Sequence, residues 1–140
     1  MANEQIESEL STAYLTSLGL HGATEELRRR EPIFHVPEFG MTRRDYENMT
    51  DSEFCEVSAS GQRCSREVAL DTLESSPPNP DGANWLKSDF QCREIATDNY
   101  LATYTLIQGA CITRRATLWR RTDAGWRALY HQATVVELRP

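Results

Sequence analysis

The chain has 140 residues, 39% hydrophobic and 26% charged, with a net charge of −6, the proportions of one soluble globular domain with a single core. No run approaches the roughly 18 apolar residues of a membrane span, and Met1-Ala-Asn-Glu-Gln5 lacks the apolar stretch of a signal peptide, so the expected location is cytoplasmic, with no membrane partner.

In chain order, Ile6, Leu10, Ala13, Tyr14 and Leu18 recur at helical spacing, which predicts a first helix ended by Gly19 to Gly22. It reads as an N-terminal extension over residues 1–22, before a main domain over 23–140. Thr24 is an N-cap candidate for a second helix, with Glu25 and Glu26 in its first turn. Pro32 lacks a backbone donor, so that helix stops or kinks near Glu31. Thr42 is a further N-cap candidate, for a short helix from Arg43 to about Met49 with Tyr46 and Met49 facing inward.

Strand character begins at Phe54. Phe54 to Ala59, a turn at Ser60-Gly61 and Gln62 to Ser65 read as a hairpin, and Ser65 then caps a helix through about Leu73. Ser75 to Gly82 is a loop by composition. Beyond it come four strands: Trp85 to Ile95, Tyr100 to Gln108, Cys111 to Arg121 and Trp126 to Glu137. Asp98-Asn99, Gly109 and Thr122-Asp-Ala-Gly125 supply the turns. Helices, then a hairpin and a helix, then four strands predict an α+β domain with helices on one sheet face.

The four cysteines, Cys55, Cys64, Cys92 and Cys111, lack Cys-x-x-Cys spacing and neighbouring histidines, which predicts no metal site. They read as buried free thiols on strands, and nothing points to a cofactor. Residues 1–75 hold 7 arginines against 15 acids, whereas residues 76–140 hold 8 Lys/Arg against 6 acids. Arg114-Arg115 and Arg120-Arg121 fall in strands, where neighbours point to opposite faces. Each pair is thus divided between two surfaces, and no nucleic-acid partner is expected.

Several segments carry a resemblance: Glu26 to His35, Asp51 to Gly61, Arg115-Ala-Thr-Leu-Trp119 and the closing Gly125-Trp-Arg-Ala-Leu-Tyr-His-Gln-Ala-Thr134. Together they are similar to the nuclear transport factor 2-like superfamily, shared with ketosteroid isomerases and SnoaL-like cyclases, and within it to the domain-of-unknown-function family 4440. The resemblance covers about Thr24 to Val136. It implies a cone-shaped, curved antiparallel sheet of about six strands with N-terminal helices packed on its concave face. Such a cone hosts enzymes, carriers and binding modules alike, so two functions follow. One is a small-molecule pocket, bare or serving an isomerase- or cyclase-like enzyme. The other is a non-enzymatic binding or dimerisation module.

Residue types then supply candidates. Glu56 is in phase with Phe54; inside an apolar cone it is a proton-abstracting base, and otherwise a salt-bridge partner for an arginine such as Arg115. Glu31 is a weaker version of the same, more simply a buried partner for an arginine. His131 is a base or polar anchor, or else an outer-face histidine with structural hydrogen bonds. Strict alternation puts Arg127, Leu129 and His131 on one face, and the more apolar set Trp126, Ala128, Tyr130 and Gln132 on the face toward the helices. The isomerase-like version takes Glu56 as base and Tyr104 or His131 as donor to a developing oxyanion. Trp119, Arg115, Tyr100, Gln132 and Trp85 are the expected ligand-binding residues, although aromatics on strands are more often core. For the rival reading, Leu129, Leu118 and Ala116, rimmed by Arg127, Arg114 and Arg120, form an outer face that pairs two copies as a homodimer.

Overall fold

The computed structural model describes residues 19, 21–76 and 85–137; the expected 6–18 helix and most of the 75–82 loop lie outside them. Helix α1 covers 21–30 and buries Ala23 and Leu27 completely, four residues apart on one face. Gly22 and Thr24 sit inside it, so Thr24 is not its N-cap. A helical glycine costs only about 1 kcal/mol, less than burial of the Leu27 side chain returns. Helix α1 does stop at Pro32: the 32–35 turn follows, closed by His35 N–H donating to the Pro32 carbonyl at 3.0 Å. Lys87 reaches across to cap the carbonyls of Arg28 and Glu31, the latter at 2.9 Å, which offsets the negative helix end.

A short 3-10 turn at Pro37–Phe39 leads to Gly40. A Cβ on Gly40 would lie 2.3 Å from the Asp45 side chain, and this approach is what lets Asp45 close the cap of α2, Arg43–Asn48. Thr42 Oγ1 accepts from the Asp45 N–H, and Asp45 accepts in return from the Thr42 N–H at 3.0 Å, a reciprocal capping box. Tyr46 and Met49 are buried, as their spacing predicts.

Strands β1 (Thr50–Val57) and β2 (Arg63–Ser65) form the expected hairpin. Ser65 caps α3 (Arg66–Ser75) by accepting from the Val68 N–H. Strands β3 (Leu86–Ala96), β4 (Asn99–Gln108), β5 (Cys111–Thr122) and β6 (Gly125–Val135) complete a six-stranded curved sheet ordered β2-β1-β6-β5-β4-β3. The fold is α+β with helices against the concave face. It differs from an all-antiparallel sheet at one seam, where β1 runs parallel to β6. The chain reaches the far edge at β3 before winding back, so its last strand meets its first in the same direction.

The bulge in that last strand reassigns the faces. Leu118 pairs with Tyr130 but Trp119 pairs with Ala128, leaving Leu129 as an extra residue. Side-chain phase therefore slips by one: Trp126, Ala128, His131 and Ala133 are all buried, while Gln132 is exposed. Strict alternation, which places Tyr130 and Gln132 with Trp126 and His131 opposite, is corrected by this single insertion. The cysteines are free thiols on strands, but they are not buried: Cys55 and Cys111 are exposed and Cys64 and Cys92 half-buried. Arg114 and Arg115 do split, one exposed and one half-buried beneath the sheet. Among the described residues, no helix is long and apolar enough to cross a membrane.

Candidate functional site

A cavity of about 300 Å³ lies between α3, the 33–35 turn and the concave faces of β1, β5 and β6. Each wall has a local cause. Phe34 adopts the left-handed conformation at φ 72°, unusual for a bulky residue. Its ring is held edge-on by Tyr46 at 5.4 Å and Phe54 at 5.9 Å. That anchor turns the chain so that His35 faces the cavity, beside the Trp85 ring at 5.1 Å. Helix α3 contributes an apolar floor through Ala69 and Leu73, and β5 sends in Arg115.

Glu56 and His131 are direct neighbours in the β1–β6 register, and His131 Nδ1 lies 3.4 Å from Glu56 Oε2. The contact is an ion-pairing distance, not a directed hydrogen bond. His131 is 4% exposed, and neither of its nitrogens has a hydrogen-bond partner among the described residues; the same holds for His35 Nδ1. Buried polar atoms without partners cost about 1–3 kcal/mol each, so two such histidines lining one cavity mark it as a polar site. Burial, reinforced by Arg115 and His131, pushes the His35 pKa down to about 4, which keeps its imidazole neutral near pH 7.

A second polar cluster is closed. Glu31 is 1% exposed and its carboxylate accepts from Tyr104 Oη at 2.7 Å, Thr117 Oγ1 at 2.6 Å, Trp119 Nε1 at 3.3 Å and the Ile33 N–H at 3.3 Å. Its partners are neutral donors from three elements, not the arginine expected from sequence. Burial first, and then the Glu31 charge, hold the Tyr104 hydroxyl well above its ordinary pKa.

The structure thus brings Glu56, His131 and Arg115 to one cavity, adds His35, and leaves Tyr104 outside, its hydroxyl bound to Glu31. Trp119 is buried on the same carboxylate. Tyr100 packs edge-on against Trp126 at 5.3 Å in the core. Gln132 lies on the convex face, where Tyr130 donates to it at 2.8 Å. There it borders a separate groove of about 370 Å³ shared with Asp89, Thr103 and Arg114. Trp85 touches the cavity only through His35. Sequence reasoning missed His35, which ends the Glu31-Pro-Ile-Phe-His35 run; its only signal is a histidine just past a proline-terminated helix. Among the described residues, no three His, Cys, Asp or Glu side chains come together as a metal set.

This architecture is the nuclear transport factor 2-like cone fold. A nuclear transport factor 2-like protein of unknown function in nutrient uptake from Rhodospirillum rubrum superposes with a TM-score of 0.61 at 16% identity, covering 83% of this chain and 98% of that one. A candidate ketosteroid isomerase from Parabacteroides distasonis gives 0.57 at 11% identity, over 71% and 79% of the two chains. A candidate calcium/calmodulin-dependent kinase II association domain from Exiguobacterium sibiricum gives 0.57 at 17% identity, over 82% and 91%. No protein-family model and no curated protein matches the chain. At these identities the likeness is one of fold, and function has to be argued from the site.

Proposed function

We propose that the concave cavity is a small-molecule site whose polar wall is the Glu56–His131 pair. The observation that carries this reading is that His131 and His35, each with buried imidazole nitrogens lacking a hydrogen-bond partner among the described residues, both line a space of about 300 Å³, at the lower end of the range for ligand pockets. Polar side chains lining a space of that size take their partners there from water or from a ligand. With a ligand, the same nitrogens give direction to binding. The isomerase-like version assigns Glu56 as proton acceptor and His131 as donor to the ligand oxygen. Tyr104 has no part in it, because its hydroxyl already serves Glu31. The likeness of the closing strand to the family 4440 pattern, with His131 at its centre, fits this reading.

The test is a fragment screen followed through the Cε1–H resonances of His35 and His131. Binders that shift both, and lose at least tenfold in affinity in His131→Leu, support a site here. A diverse set of pocket-sized fragments that leaves both resonances unmoved refutes it.

A second reading rests on a different observation: Leu101, Leu118 and Tyr130 stand in one cross-strand row on the convex face, all only half-buried. We propose that this row, with Ala116 beside it and Arg114 at its rim, pairs with a second copy across a two-fold axis. Light scattering on the eluting protein should give twice the 16.0 kDa chain mass; a monomer at tens of micromolar ends the idea.

A further inference from the structure

Among the described residues, Arg115 is the only permanent cation lining the concave cavity. Its Nε donates to Thr113 Oγ1 at 3.0 Å, and it forms no ion pair with a described carboxylate. Arg115 pairs with Ala133 across β5–β6, two residues along from the Thr117–His131 pair. Arg115 and His131 are therefore diagonal neighbours on the concave face. Glu56 sits on β1, beyond His131, two strand spacings or roughly 9–10 Å from β5. Arg115 and Glu56 thus reach the cavity from opposite sides of β6.

Resting on the small-molecule reading above, we propose that the cavity takes a carboxylate-bearing molecule. Its carboxylate is held by the Arg115 guanidinium, with His131 and His35 beside it on the same wall, and its apolar body lies against Ile33, Phe34 and Leu73. A planar guanidinium with free terminal donors suits the two oxygens of a carboxylate. A phosphate ester fits worse. The wall offers one permanent cation, and Glu56 in the same cavity opposes a second negative charge.

Proton linkage is part of the inference. His35 is held neutral by burial, by Arg115 and by His131, with Glu56 pulling the other way. Cys64 is the remaining titratable group on the wall, and α3 adds only Val68, Ala69, Thr72 and Leu73. An anion against Arg115 cancels that cation and supplies a counter-charge, so binding draws a proton onto His35. Affinity for the anion accordingly rises as pH falls from 8 toward about 5, a range in which carboxylic acids with pKa near about 4 stay ionised.

The test uses the full chain with matched probes: benzoate, benzamide and phenyl phosphate, read by the His35 and His131 Cε1–H resonances. Benzoate should bind at least tenfold more tightly than benzamide and more tightly than phenyl phosphate, and several-fold more tightly at pH 5.5 than at pH 8. Arg115→Met should lose at least tenfold for benzoate and little for benzamide, with Arg115→Lys partly restoring the preference. Equal binding of benzoate and benzamide, or an Arg115→Met variant that keeps the preference while melting like the parent, overturns the carboxylate assignment and leaves a neutral-ligand site standing. Tighter binding of phenyl phosphate moves the class to phosphate esters and also overturns it. If none of the three moves either histidine, the cavity reading falls with the inference.

Discussion

Glu31 and Glu56 are the same residue type on the same side of the sheet, and their surroundings separate them. Glu31 accepts four hydrogen bonds with no solvent contact, and it ties the end of α1 to β4 and β5. Replacing it with Gln keeps the shape but removes the charge and turns one acceptor into a donor facing donors. Glu31→Gln should lower stability by about 2–4 kcal/mol, measured by urea denaturation; a change under about 1 kcal/mol would mean the cluster is not closed as described. His131 is the opposite case. Its nitrogens make no directed hydrogen bond and only the 3.4 Å contact with Glu56, so His131→Leu, of similar volume, should leave stability within about 1.5 kcal/mol of the parent, while ligand shifts disappear. A loss above about 3 kcal/mol would show that the imidazole is a structural hydrogen-bonding group.

The β5–β6 hairpin carries both the core and the site. Trp119 is 1% exposed and donates to Glu31, while Trp126 is 6% exposed and donates to Glu26 at 2.7 Å. Truncating Trp119 to Ala leaves a cavity and should cost about 3–5 kcal/mol; a thermal melt like the parent's would remove this hairpin from the core. The hairpin was legible in sequence because turn residues and flanking aromatics act locally. Thr122 Oγ1 accepts from the Ala124 N–H at 3.2 Å, and Gly125 takes φ 108°, local chemistry that any pairing partner would leave intact. The bulge at Leu129 was not legible. It arises where β6 must satisfy β5 on one side and a parallel β1 on the other, and neither neighbour is visible from the strand's own pattern.

For the molecule as a whole, the half-buried imidazole of His35 makes folding pH-dependent. Its pKa is about 4 folded against 6.5 as a free side chain, so the unfolded chain binds the extra proton. Stability from this residue is complete above pH 6.5 and is lost as pH falls from 6.5 toward 4, by on the order of 3 kcal/mol in total. Urea midpoints measured from pH 7.5 to 4.5 should fall for the parent and flatten for His35→Asn. If both fall in parallel, other groups control acid unfolding.

Composition, the capping residues and the turn chemistry of this chain determined its class, its element order and most element boundaries, because each depends on neighbours within about five positions. Thr42, Ser65 and Gly125 each act through a hydrogen bond or a backbone angle reached within three residues. The helix through Thr24 escaped that reasoning because the buried face of Ala23 and Leu27 outweighs a local cap signal. What only the tertiary structure decided is which polar groups meet. Glu56 and His131 are 75 positions apart and become neighbours through the parallel β1–β6 seam. His35 joins them through a turn held by the rings of Tyr46 and Phe54. Side-chain chemistry is written residue by residue, but convergence depends on strand order, register and one inserted residue, and these are settled only when the whole sheet closes over its core.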